Sequence, residues 1–333
     1  MKKDILISII IPTYNMGKFL SEVYQSICNQ SYKNLEVLFI NDGSTDNTLS
    51  ILENFQRKDA RVKVVTIENS GVSVARNVGL VNATGEYIFF CDADDELEPE
   101  CFQHCVKVIQ DYSPYFIKVG FSKKMGSVKK RKKLYVDSDK LYADRETLLH
   151  LTQNIFYHDD FCTIGGVLLK SSLAKRHQFD ASFSIGEDFL YVFHALFNAK
   201  SVYIIDKPYY VYRVNQNSAT HQFENKKTLN NIKGQLEVVN KIAQKIEERF
   251  LICVDSSNKC KRIVSDTLIA VAENTSYRQY RQFISRLIQH ADIMLYLKEK
   301  GITKQDVEQQ AISIYVKAKI KAIIKKVIQH GFN

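Results

Sequence analysis

Two groups of carboxylates have the types and spacing to do chemistry. The first is Cys91-Asp92-Ala93-Asp94-Asp95-Glu96, which follows the apolar run Tyr87-Ile88-Phe89-Phe90. Four acids at the end of a buried strand are costly to dehydrate unless positive charge meets them. A divalent cation with a phosphate-bearing ligand is the natural partner, because hard cations take carboxylate oxygens. The alternative is a solvated acidic turn leading into a helix start at Glu98-Pro99-Glu100. The second group is Glu187-Asp188, at the entrance to the aromatic and aliphatic segment 189–197. On spacing alone, that pair also fits a helix N-terminal cap, where anions are favoured. Cys101, His104 and Cys105 share a helix face, but no second ligand pair accompanies them, so core packing is expected there.

The elements that must position these groups are legible from periodicity. Strands are expected at 5–11, 35–40, 62–67 and 86–91, and helices at 18–30, 47–57 and 72–81 between them. Pro12 ends the first strand, because proline cannot continue a central ladder. Four strand–helix alternations with short connections predict an α/β fold: a mostly parallel sheet with right-handed crossovers and helices on both faces. Ligands in such folds bind beyond the C-terminal ends of the strands. Thr13-Tyr14-Asn15, Asp42, Asn69 and Asp92–Asp95 all fall at such ends, and that shared rim argues against the solvated-turn reading. There is no G-x-G-x-x-G after the first strand and no P-loop Lys, so a nucleotide would be held by side chains and a metal.

Beyond residue 111 the pattern loosens. The run 125–133, Met-Gly-Ser-Val-Lys-Lys-Arg-Lys-Lys, reads as a solvated basic loop or as a neighbour of an anionic acceptor. A strand with a Gly165-Gly166 bend is expected over 161–169, Gly marking close backbone approach. Two short strands are expected at 202–205 and 208–213. From Phe223 onward apolar three-four spacing predicts helices over 229–250, 262–273, 280–300 and 306–329. In the last, Ile312, Val316, Ile320, Ile323, Ile324 and Val327 form one arc flanked by Lys317, Lys319, Lys321, Lys325 and Lys326. Such a helix either lies on an anionic membrane surface, through 306–333, or packs with a solvated lysine face.

The 333 residues can bury a large core. Charge is uneven, with 10 basic against 15 acidic side chains in residues 1–110, 16 against 11 in 111–222, and 20 against 11 in 223–333. An acidic half beside a basic half argues against a nucleic-acid-binding surface and for a metal-using half with a tail that meets something anionic. No apolar run approaches the ~20 residues that span a bilayer. The opening Met1–Ile11 reads as a first strand rather than a signal peptide. Seven scattered Cys fit reduced thiols in a cytoplasmic protein.

The motifs Ile9-Ile-Ile-Pro-Thr-Tyr-Asn15, Gln30-Ser-Tyr-Lys-Asn-Leu-Glu36, Asn41-Asp-Gly-Ser-Thr-Asp46, Asn69-Ser-Gly-Val-Ser-Val-Ala-Arg-Asn77 and Asp92-Ala-Asp-Asp95 together resemble the family 2 glycosyltransferases of GT-A fold, over roughly residues 5–220. Asn41 departs from the family, where most members carry a first Asp. The resemblance implies transfer of a sugar from a nucleotide diphosphate sugar, usually a UDP-sugar, with inversion. It implies a catalytic domain over 1–222, with a donor half near 1–110 and an acceptor half near 111–222, and a basic helical extension over 223–333. Tyr14 would lie against the uracil and Asp42 would accept from its ring N–H. Arg76 and Asn69 would complete the base and ribose contacts, and Asp92 would sit near the ribose and diphosphate. Pro12, Thr13, Asn15 and Ala93 fall in the same donor motifs. Asp94 would be the direct Mn²⁺ or Mg²⁺ ligand. Asp188 would be the catalytic base, with Glu187 its neighbour or an acceptor contact. The loop from Arg213 to His221 resembles one that can close over the donor. The acceptor would be a glycan or lipid-linked saccharide at the cytoplasmic face, the protein being peripheral to the membrane. A metal-dependent nucleotidyltransferase, and a non-catalytic membrane- or partner-binding module, are the alternatives.

Overall fold

The computed structural model describes residues 4–132, 134, 136–158, 163–183, 185–214, 225–250, 256–274 and 277–315. It divides into two compact units: Met1–Phe183 with Glu187–Asn215, and Ser184–Gly186 with Gln216–Asn333.

The first unit opens with β1 (Ile7–Thr13), α1 (Leu20–Cys28), β2 (Leu35–Asp42), α2 (Thr48–Lys58), β3 (Val62–Ile67), α3 (Val72–Asn82) and β4 (Tyr87–Phe90). β5 (Glu96–Leu97), α4 (Cys101–Tyr112), β6 (Phe116–Met125), β7 (Val128–Arg131), β8 (Lys140–Tyr142), α5 (Arg145–His158), β9 (Val167–Lys170), α6 (Ser171–Ala174), α7 (Glu187–Asn198) and β10 (Val202–Arg213) follow. The strands join in one sheet in the order β3-β2-β1-β4-β9-β6-β10-β5, with β7 on β6 and β8 on β10. β3, β2, β1 and β4 run parallel, as the alternation predicts. Their central members are apolar on both faces, because helices cover both. Beyond β4 the sheet is mixed: β9 enters antiparallel between β4 and β6. The periodicity of an apolar strand carries no sign of its direction.

Other expectations need adjusting. The strands expected at 202–205 and 208–213 are one strand, β10, whose register on β6 shifts between Ile205 and Tyr210. Pro208 has no N–H to give the ladder, so pairing lapses while the chain continues. The displaced Asp206 carbonyl presses on Gly120 of β6, where any Cβ would collide with it. Of the expected 161–169 strand, Val167–Lys170 forms; Phe161 and Cys162 lie outside the described residues. A Cβ on Gly165 would stand 2.6 Å from the Tyr210 ring, and Gly166 has φ +74°, so both glycines are sterically required.

Beneath the parallel strands, buried Glu36 on β2 accepts from Ser8 Oγ at 2.5 Å, Thr84 N at 2.8 Å, Thr84 Oγ1 at 2.9 Å and Lys63 Nζ at 2.7 Å. Burial favours the neutral acid, but Lys63, Ser8 and Thr84 outweigh it and hold the carboxyl down to about 2. Because this lies below its ordinary 4.5, the stability Glu36 contributes is complete above about 4.5 and is lost as pH falls toward about 2. Glu36→Gln should therefore cost roughly 2 kcal/mol at neutral pH. In urea titrations the gap from wild type should close between those two pH values; a pH-independent gap would contradict the charged network.

The second unit is helical: α8 (Asn225–Phe250), α9 (Ser257–Asn274), α10 (Tyr277–Gln289), α11 (Ala291–Glu299) and a helical stretch over 304–315. Its core includes Ile232, Leu236, Val239, Ile242, Leu268, Phe283, Leu287 and Leu297. Tyr280 Oη reaches the Ala311 carbonyl at 2.9 Å. The helix expected over 280–300 breaks at His290, which is extended (φ −74°, ψ 105°); no Pro or Gly marks the break. Ile312, the start of the expected apolar arc, is exposed; the rest of that arc lies outside the described residues. Among the described residues, no helix is long and apolar enough to cross a membrane.

Candidate active site

The rim is set by strand register. Thr13 pairs with Asn41, Asp42 with Ile67, and Ile10 with Phe90, so the loops after β1, β2, β3 and β4 lie side by side. Pro12 is half-buried and Thr13 buried, its hydroxyl turned back to the Ile11 carbonyl. Tyr14 is 42% exposed, a ring presented to solvent from a fixed strand end. Asn15 is left-handed (φ 52°), a conformation Asn tolerates. Its side-chain oxygen accepts from the Thr45 and Asp46 N–H groups at 2.8 and 3.3 Å, tying the first loop to the second.

Asp42 is buried at the end of β2. Its two oxygens accept from Ser70 N at 2.7 Å and Gly71 N at 2.9 Å, so it shapes the loop that enters α3. Asn69, in that loop, is exposed. Its backbone nitrogen would lie 2.7 Å from a Cβ on Gly43, and Gly43 (φ +66°) lets the two loops approach. Asn41, in place of the family's first Asp, accepts the Ser44 N–H at 3.2 Å.

Arg76 is the centre of the cluster. It is 5% exposed on α3, with Nη2 3.0 Å from Asp92 Oδ1 and Nη1 3.0 Å from Glu187 Oε1. Its guanidinium lies over the Phe179 ring, 5.2 Å from the centroid. Asn77 holds that segment, donating to the Phe179 carbonyl at 2.9 Å and accepting its N–H at 2.8 Å. Phe179 stacks on Tyr191 of α7, with centroids 3.9 Å apart. Burial disfavours the Arg76 charge, but Asp92, Glu187 and Asp188 more than offset it and push its pKa up. Arg76 thus sits inside, with its ends taken by two carboxylates; the base or ribose contact is what the family resemblance implies for it.

Asp188 follows Glu187 at the start of α7, half-buried, with Oδ1 accepting its neighbour Phe189's N–H at 2.8 Å. Burial first, and then the Glu187 charge, push its carboxyl up to about 7 against the pull of Arg76. One guanidinium faces three carboxyls here, and Asp188 is the one poised to exchange a proton near neutral pH.

The acid loop is braced from β10. Tyr210 Oη accepts the Asp92 N–H at 3.1 Å and donates to Asp95 Oδ2 at 2.6 Å. Asp95 is buried and also accepts the Arg213 N–H at 2.8 Å. Burial, with Asp92 and Asp94 alongside, raises its carboxyl well above the usual range. Asp95 therefore holds the loop. Arg213 Nε donates to the Asp94 carbonyl at 2.8 Å, and its guanidinium pairs with Glu96 and Glu22. Of the expected donor-closing loop, residues 215–221 lie outside the described residues. Asp92 and Asp94 are partly exposed, and Ala93 between them is buried. Among the described residues, no three His, Cys, Asp or Glu converge on one metal position. A hard cation that takes one or two carboxylates and completes its shell from a ligand's phosphates fits this donor set.

Tyr210 and Phe179 belong to the site without having been singled out, while Asp95 and Asn77, which lay within the quoted motifs, hold its loops in place. The Asn69–Asn77 motif carried the signal for Phe179, through Asn77; the sequence held none for Tyr210. Cys101 and Cys105 are buried on α4, while His104 meets Tyr209 Oη at 3.1 Å.

The sequence profile of the family described as Glycosyl transferase family 2 matches residues 8–173. An uncharacterized glycosyltransferase EpsJ of Bacillus subtilis is 29% identical over 222 residues, 65% of this chain and 63% of that protein. The glycosyltransferase GlyA of Streptococcus pneumoniae is 31% identical over 232 residues, 68% of this chain and 33% of that protein. The chain thus spans less than two thirds of the length of these relatives. Among solved structures, S. aureus TarS 1–349 in complex with UDP-GlcNAc superposes with a TM-score of 0.61 at 19% identity, covering 95% of this chain and 92% of that one. That likeness supports the fold: a mixed α/β sheet of GT-A type.

Proposed function

Because the chain belongs to glycosyl transferase family 2, we propose that it moves a sugar from a UDP-sugar to a hydroxyl of a glycan or lipid-linked saccharide, with inversion. The observation that carries this reading is the chain of charge Asp92–Arg76–Glu187 ending beside Asp188. It joins the acid loop, suited to the leaving diphosphate, to a carboxylate with the proton affinity of a general base. A UDP donor is supported by the exposed Tyr14 ring beside Asp42 on the strand rim, and by the UDP-GlcNAc held by the TarS neighbour.

In this mechanism Tyr14 stacks on the base, and Asn15, Asp42 and Asn69 shape the loops around it. Asp94, with Asp92 beside it, would hold Mn²⁺ or Mg²⁺, which when bound neutralises charge on the diphosphate. Asp188 takes the acceptor hydroxyl's proton as the acceptor oxygen attacks the anomeric carbon. The bond from that carbon to the diphosphate breaks, and UDP leaves with the electron pair on the opposite side. Glu187 and Arg76 orient Asp188 and keep Asp92 aligned. Residues 1–110 form the donor half and 111–222 the acceptor half, with the basic helices as an extension.

A panel of UDP-sugars scored for Mn²⁺-dependent hydrolysis and transfer tests the reading; release of UDP from none of them would refute it. Asp94→Ala should weaken UDP binding in the presence of Mn²⁺ by roughly tenfold or more. Titration calorimetry would measure this, and unchanged affinity would remove Asp94 from the metal site.

A further inference from the structure

The basic run 125–133 resolves, in its described part, into a hairpin with two unlike faces. β6 and β7 pair antiparallel as Ser122↔Arg131, Lys123↔Lys130, Lys124↔Lys129 and Met125↔Val128, turning at Gly126 (φ +59°). Lys132 N continues the pairing to the Phe121 carbonyl at 3.0 Å. Strand side chains alternate, so Lys124, Lys129 and Arg131 share one face, and Lys123, Met125, Val128, Lys130 and Lys132 the other. On the first face every cation has an acid: Lys124 meets Glu96, Lys129 meets Glu98 at 2.8 Å, and Arg131 meets Asp206. On the second face, Lys123, Lys130 and Lys132 are exposed and form no ion pair among the described residues, Lys123 lying 5.9 Å from the Tyr212 ring centroid. Met125 and Val128, opposite each other at the tip, are 69% and 66% exposed. No acid occurs from Ser122 to Val136.

Cations and apolar side chains segregated together on one face, at an exposed hairpin tip, are the composition of an interfacial anchor. We propose that this face of the hairpin docks on an anionic lipid bilayer. Met125 and Val128 enter the headgroup layer, and Lys123, Lys130 and Lys132 meet lipid phosphates. A soluble anionic glycan would satisfy the lysines but would give two large apolar side chains nothing to enter; a bilayer interface takes both. Such docking would bring the catalytic unit to a membrane-borne acceptor, but it is scored without donor or acceptor, so its failure is separate from that of the transferase reading.

The test is sedimentation of the full chain with phosphatidylcholine vesicles, with and without phosphatidylglycerol. Wild type should bind the anionic vesicles preferentially, and less so as salt rises. The triple variant Lys123→Gln, Lys130→Gln, Lys132→Gln should lose about 100-fold in partitioning, at roughly fivefold per lysine. Met125→Ser with Val128→Ser should lose roughly tenfold. The opposite-face double variant Lys129→Gln, Arg131→Gln should stay within about fivefold of wild type. Thermal melts of each variant establish folding. Equal losses from the two faces, wild-type binding by the triple variant, or tighter binding to a soluble polyanionic polysaccharide than to vesicles would each overturn the assignment.

Discussion

Asp188→Asn is expected to lower sugar transfer by 10²–10⁴-fold, the range for a positioned general base, while leaving UDP affinity within about twofold. The amide keeps the shape of the carboxyl but cannot take the acceptor's proton. Because the Asp188 carboxyl is pushed up to about 7, the wild-type kcat/KM should fall roughly tenfold for each pH unit below that value. The acid is the inactive form, so the loss lies on the low-pH side. In the variant that acid limb should vanish, leaving a low, flat rate. Folding should survive, since the change removes a carboxyl that burial and Glu187 already disfavour as an anion. Rate profiles over pH, with calorimetric titration of UDP, separate the two effects. A variant that keeps the wild-type acid limb would show that another group is the base.

Arg76→Met should be still more disruptive, because it acts on fold and chemistry together. It leaves Asp92 and Glu187 facing each other across a largely buried site without their shared cation. Removing one partner from a buried ion network costs about 3–5 kcal/mol. Transfer should fall below detection even at temperatures where the variant is folded, since the acid loop and the α7 terminus lose their common bracket. Arg76→Lys should recover part of the stability but little of the rate. One ammonium cannot reproduce a planar fork that meets two carboxylates from opposite ends and lies over the Phe179 ring. Melting curves and transfer rates for both variants decide this, and a wild-type melting profile for Arg76→Met would sink the bracketing role.

Much of the rim was legible before any coordinates. Apolar runs closed by polar clusters placed Tyr14, Asp42, Asn69 and Asp92 at the ends of β1, β2, β3 and β4, because parallel strands with short connections leave their loops on one edge. The direction of β9 was not legible, since an apolar strand reads the same either way. Neither was the interior position of Arg76. A lone Arg on a helix looks like a surface residue until its partners, Asp92 and Glu187, are brought in from separate elements. The continuity of β10 through Pro208 was obscured because proline's missing N–H reads as a strand end, though the chain only changes register there. Tyr210 gave no signal at all: a tyrosine in a strand is ordinary core until its hydroxyl is found between Asp92 and Asp95.

The sheet order has a consequence for how the site is assembled during synthesis. β1 through β4 all lie within the first ninety residues, so they can pair before the rest of the chain is made, although the β1–β4 pairing is itself long-range. β4 then ends at Phe90 with its second edge open, and the strand that covers that edge begins only at Val167. The tyrosine and arginine that hold the acid loop arrive later still, at Tyr210 and Arg213. A nascent chain stopped before them would carry the donor motifs with an unpaired apolar edge and an unbraced loop, a state open to edge-to-edge association. On the proposed reading, the donor site is written early in the chain and completed from its far side, so fragments holding every donor motif but lacking β10 should aggregate rather than bind nucleotide.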